Sequence, residues 1–135
     1  MTAATITQGL AGVLTVSALA FFAFPAMVHA TSGQAGDAEL GKALFEKRCT
    51  GCHSLDRDKE GPRLRGVYGR KAGTITTFEY SGALKKAHIV WNDATLDKWL
   101  TGTDAMIPGN DMAFHVPQAE ERADIIRFLN TLSEK

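Results

Sequence analysis

Five consecutive residues, Cys49-Thr50-Gly51-Cys52-His53, restrict what this chain can become more than any other stretch of it. Two thiols at i and i+3 are what one helical turn brings to one side, and a histidine follows directly. Three chemistries use such a set. A thiol redox pair sits at a strand-to-helix junction, and no strand is predicted before Cys49. A zinc site would draw on Cys49, Cys52, His53 and a distant His88 or His115, but sequence neighbours rarely both reach a tetrahedral ion. The third is C-x-x-C-H as the haem c attachment sequence, in which both thiols add to the haem vinyl groups and the histidine reaches the iron from the same side. The third fits best.

Composition leaves little competition. The 135 residues carry 15 Lys and Arg against 15 Asp and Glu, so no clustered positive excess exists for nucleic acid. Two cysteines exclude both a disulfide-rich scaffold and a four-cysteine zinc site. Charge is absent altogether before Asp37. Within that stretch Leu10 to Val28 is apolar and ends in Val28-His29-Ala30, with small residues where a signal peptidase reads. Residues 1–30 are therefore expected to be an export signal cleaved after Ala30, and residues 31–135 the exported domain, placed in the periplasm. The apolar stretch is long for a signal and lacks a preceding Lys or Arg, so an uncleaved anchor is the alternative, and the only expected membrane contact.

The remainder predicts short helices and long loops. Asp37 can cap a helix running through Leu40, Ala43, Leu44 and Phe45 and ending near Gly51. Leu55 to Tyr80 is rich in Gly and Thr and predicts an irregular wrap. Ser81 can cap Gly82 to Ala87, and Asn92 or Asp93 a helix with Leu96, Trp99 and Leu100 on one face, closed by Gly102. Ala105 to Pro117 is predicted to loop. Gln118 to Leu132 has Ile125, Ile126, Phe128, Leu129 and Leu132 at helical spacing, with Glu120 and Glu121 in its first turn. So thin an all-α core, with such long loops, needs something in its middle.

A second axial ligand can come from few places. Met106 reads as a core filler. Met112 follows Pro108-Gly109-Asn110-Asp111, a rigid loop suited to holding a weak thioether ligand. His88 and His115 would bind iron more tightly and lower the potential, but read as surface residues. Met112 is preferred.

From Asp37 onward the chain resembles a class I cytochrome c of the bacterial c2 and mitochondrial type. The resemblance rests on the haem signature together with Gly61-Pro62-x-Leu64-x-Gly66-x-x-Gly69-Arg70-Lys71, Phe78-x-Tyr80-Ser81, Trp91 and Ile107-Pro108-Gly109-x-x-Met112. It implies short helices and loops wrapped around one haem bound through Cys49 and Cys52, with His53 and Met112 on the iron. It also implies that the Pro62 carbonyl holds His53, that Arg70, Tyr80 and Trp91 contact haem propionates, and that Gly41 and Phe45 of the N-terminal helix cross the C-terminal helix at Ile125 and Phe128. The implied function is one-electron transfer by a monomer, not catalysis. Its partners would be redox proteins such as a cytochrome bc1 complex, a terminal oxidase, a photosynthetic reaction centre or a dehydrogenase, in respiration or photosynthesis.

The departures from that pattern are informative. Trp99 replaces a usual tyrosine and Leu84 a usual polar residue near the methionine, and the segment from His53 to Pro62 is short, as in bacterial branches. Asp104 and Asp111 stand where lysines are usual. Asp37 to Lys86 carries 11 basic and 7 acidic residues, whereas Ala87 to Lys135 carries 4 and 8. If these halves separate in space the molecule is dipolar, and salt should slow its association with partners.

Overall fold

A computed structural model of the chain describes Met1 and residues 35–133, so, Met1 apart, the expected signal segment with its cleavage site lies outside the described residues. The described part is helical, with one isolated antiparallel bridge, Lys71 to Val90, and none of its helices is long and apolar enough to cross a membrane.

Helix α1 spans Ala38–Arg48. Asp37 caps it as expected, its carboxylate accepting the amides of Glu39 and Leu40 at 2.8 and 3.0 Å. The helix stops at Arg48 rather than near Gly51, yet the backbone keeps curling: the amide of Cys49 donates to Phe45 at 2.8 Å, and that of His53 to Cys49 at 2.8 Å. Helix α2 spans Gly82–Lys86, with Ser81 as its cap. Helix α3 covers Asp93–Thr101 and begins with a capping box, Asn92 and Thr95 exchanging side-chain and backbone bonds at 3.0 and 2.8 Å.

A short helix α4, Thr103–Met106, then intervenes. It overlaps the start of the stretch expected to loop. Gly102 both closes α3 and opens α4, so a residue that reads in sequence as a terminator is also a start. Helix α5 runs Ala119–Thr131.

The terminal helices α1 and α5 pack together at the expected residues. A Cβ built on Gly41 would fall 1.9 Å from the Asp124 carbonyl oxygen and 2.9 Å from Phe128 Cβ, so only a glycine lets the two backbones come this close. Beside it the Phe45 and Phe128 rings lie 5.4 Å apart, and Ile125 is 1% exposed. The backbone amide of Asp37 donates to Asp124 at 2.7 Å, and Arg48 pairs with Glu121 at 2.7 Å. These contacts join the basic and acidic halves of the sequence, so at this crossing their charges are interleaved rather than separated.

Between α1 and α2 the wrap is pinned both by backbone bonds, with the amides of Leu64 and Arg65 donating to Ser54 and Leu55 at 2.9 Å each, and by side chains. Asp58 accepts the Thr77 hydroxyl at 2.6 Å and the Arg63 amide at 2.8 Å, drawing residues 58, 63 and 77 together across the loop. Gly73 sits at φ +70°, and a Cβ there would come within 2.8 Å of the Leu84 carbonyl oxygen.

Replacing Gly41 by alanine is expected to force α1 and α5 apart and to cost about 2 kcal/mol or more of unfolding free energy, as overpacking of a filled core does. Denaturant unfolding of the purified holoprotein checks this, and an unchanged midpoint would mean that the crossing is looser than its geometry implies.

Candidate functional site

Because the backbone continues to curl past α1, Cys49 and Cys52 are one turn apart, with Cys52 amide to Cys49 carbonyl at 3.2 Å. Lys59 closes the turn from outside, its ammonium donating to the carbonyls of Thr50 at 2.5 Å and Gly51 at 3.2 Å. Cys49 is half-buried, and burial pushes its thiol pKa up to about 11 against the weaker opposite pull of Arg48, while Cys52 is exposed. A thiol redox pair attacks through an accessible, acidified thiolate, which the half-buried Cys49 with its raised pKa does not resemble.

His53 is buried. Its Nδ1 lies 2.8 Å from the Pro62 carbonyl oxygen. A carbonyl can only accept, so Nδ1 carries the proton and the lone pair is on Nε2, the state of a metal-ligating imidazole oriented by an outer partner. Burial, as the leading cause, lowers the His53 pKa, the Pro62 bond opposes this, and the nearby Lys59 charge adds to it. The imidazole is thus neutral at neutral pH. Gly61 forms the wall behind the ring, since a Cβ there would stand 2.3 Å from His53 Cε1. A curled pair of cysteines, a walled and polarised imidazole and an apolar core packed against Cys49 fit a covalently attached haem.

Arg70 and Tyr80 belong to the wrap, and Trp91 lies between α2 and α3. The Arg70 guanidinium donates to the carbonyls of Arg65 and Arg63, both at 3.0 Å, and its own carbonyl accepts the Trp91 amide at 3.0 Å. Tyr80 is buried, which raises its phenol pKa, and the Arg70 charge acts in the opposite sense. Phe78 packs edge-on against Tyr80 at 4.9 Å, and Trp91 against Trp99 at 5.5 Å. The three residues named from the sequence are therefore brought to one neighbourhood, with aromatic bodies inward.

Met112 approaches on a separate loop. Ile107 to Asn110 forms a type II turn: Gly109 has φ +81°, and the Asn110 amide donates to Ile107 at 3.2 Å. The Asn110 carboxamide then accepts the Met112 amide at 2.7 Å and donates to Ile107 and Asp104. Met112 is half-buried and packs against the same core as Cys49. Met106 packs there too, as a core filler would. His88 and His115 are exposed. Among the described residues no three His, Cys, Asp or Glu are placed to share a metal ion, which removes the zinc arrangement.

Three contributors escaped the sequence reading: Lys59, Asn110 and Thr103, whose hydroxyl donates to the Met112 carbonyl. Only Asn110 had a local signal, an Asn directly after Pro-Gly, where its side chain can cap the turn.

The comparisons agree with this geometry. Residues 38–133 match the cytochrome c family model. Cytochrome c of Euglena viridis is 45% identical over 102 residues, covering 73% of this chain and all of that protein. The cytochrome c-type protein cyt cy of Rhodobacter capsulatus is 41% identical over 99 residues, 72% of this chain and 50% of its own length. The solved structure of cytochrome cH from Methylobacterium extorquens superposes with a TM-score of 0.68 at 37% identity, covering 71% of this chain and 99% of that one. With its attachment turn, its walled histidine and its crossed terminal helices, the chain belongs to the class I cytochromes c, electron carriers that hold haem c through a pair of cysteines like Cys49 and Cys52.

Proposed function

We propose that the chain is an exported, periplasmic one-electron carrier with His53 and Met112 as axial ligands, working as a monomer between redox proteins of a respiratory or photosynthetic chain. One observation carries the ligand assignment. Met112 is the half-buried sulfur of a loop stiffened by a Pro-Gly turn and an Asn110 cap, while both competing histidines are exposed. A bound haem supplies the one-electron ferric and ferrous couple, and the chain decides how that couple is tuned.

The residues divide that work. Pro62 orients His53 and makes it a stronger donor through the Nδ1 proton. Arg70, Tyr80 and Trp91 supply donors suited to buried propionates, whose negative charge would otherwise be costly to bury. Stiff loops on both sides keep the two ligands in place as the charge changes, so little has to move when an electron arrives. Partners such as a cytochrome bc1 complex, an oxidase, a reaction centre or a dehydrogenase suit such a carrier. The bacterial relative and the uncharged segment before Asp37 support export.

Leu84 contributes to the tuning. It packs half-buried against the core at a position where the resemblance leads one to expect a polar side chain. An apolar surround favours the less charged ferrous state.

Two experiments follow. The oxidised wild-type protein is expected to show the weak near-red iron-to-methionine band and, when reduced, no spectral change with carbon monoxide; Met112→Ala should abolish the band and admit carbon monoxide. Carbon monoxide binding to the wild type would mean an open iron and turn the reading toward a gas-binding or catalytic protein. In equilibrium redox titration, Leu84→Asn should lower the potential by roughly 40 mV, the equivalent of about 1 kcal/mol for one electron. A potential that is unchanged or higher would remove Leu84 from the tuning.

A further inference from the structure

Apart from aromatic rings, two polar side chains are buried among the described residues, His53 and Thr103. The first belongs to the attachment turn. The second lies at the start of α4, in a segment with no obvious need for a hydroxyl, and is 1% exposed.

Every hydrogen bond of that hydroxyl ends on the loop carrying Met112. Thr103 Oγ1 donates to the Met112 carbonyl, accepts the Phe114 amide at 3.2 Å, and lies 3.3 Å from the Phe114 carbonyl. The Thr103 backbone amide points to the same Phe114 carbonyl at 3.4 Å. A single residue thus grips the chain at Met112 itself and again two residues beyond it. Thr103 is in turn anchored, because its carbonyl accepts the Ile107 amide at 2.9 Å within α4, while Val116, past the gripped segment, donates to Leu100 of α3 at 2.7 Å. Asn110 secures the loop before Met112, and Thr103 secures it from across the fold.

We propose that Thr103 is the positioning residue that holds Met112 on the iron, so that its hydroxyl sets how often the methionine loop opens to an outside ligand. This rests on the reading of Met112 as a ligand. An external ligand that must displace Met112 binds with an apparent affinity proportional to the open fraction of the loop. Without the hydroxyl, the Met112 carbonyl and the Phe114 amide lose their partner in the closed loop but can reach water in the open one, so the balance shifts toward opening.

The test is imidazole titration of the ferric holoprotein, with the near-red band followed alongside. Thr103→Val keeps the shape of the side chain and removes the hydroxyl. It is expected to bind imidazole about tenfold more tightly than wild type, and Thr103→Ser, which restores the hydroxyl, should return most of the way. Thr101→Val is the control. Its hydroxyl bonds only within α3, to Asp97, and it should leave the affinity unchanged. A purely structural role for Thr103 would lower the thermal midpoint of the Val variant without moving its imidazole affinity, and that outcome overturns the proposal. If Thr103→Val does not accumulate as holoprotein, Thr103→Ala compared with Thr103→Ser makes the same measurement. A near-red band that survives Met112→Ala overturns the ligand reading and this inference with it, whereas a band lost in Met112→Ala beside unchanged affinity in Thr103→Val overturns this inference alone.

Discussion

The close approach of α1 to α5 at Gly41 is the constraint on which the rest of the molecule hangs. The attachment turn is the continuation of α1, so wherever α1 is seated, Cys49, Cys52 and His53 are carried with it. Phe45, one turn along from Gly41, faces the core from the same helix and completes the contact through Phe128. Among the described residues long helices are few, which leaves little other means of fixing a reference frame, and the two longest of them, α1 and α5, meet at one crossing. From that frame the wrap reaches around to bring Pro62 to one side of His53, and α3 and α4 deliver the methionine loop.

The site follows a simple rule of polar economy. Among the described residues the buried core is almost wholly apolar, which suits a large flat macrocycle, and the two polar side chains buried in it, His53 and Thr103, as well as the half-buried Arg70, bond to backbone. His53 is satisfied by a carbonyl, Arg70 by two carbonyls, and Thr103 by the chain on either side of Ala113. Backbone partners are stiffer than side chains. A pocket built this way resists reorganising when charge enters or leaves, and that resistance is what an electron carrier gains from its protein.

How much of this was legible depends on how local its causes are. Asp37 and Ser81 cap helices through atoms a few residues away, so the sequence announced them, and for α3 it offered Asn92 or Asp93, of which Asn92 is the cap. Cys49 to His53 was legible for the same reason, and Gly41 with Phe45 became so once a family pattern supplied the partner helix. Helix α4 was not, because one glycine closes and opens helices with the same backbone and nothing nearby distinguishes the two. Thr103 was invisible because its meaning lies in residues 112 and 114, which only the finished fold brings to it. Lys59 was hidden likewise, as its partners are carbonyls, which every residue has.

The unequal environments of the two cysteines bear on how each would hold its bond to the haem. In the folded chain Cys49 is partly shielded and its thiol is held protonated by burial, whereas Cys52 stands open. The two sulfurs therefore stand differently toward a bound haem: a bond at Cys49 would be shielded by the core that packs against it, whereas one at Cys52 would lie at the surface, open to solvent and to whatever docks there.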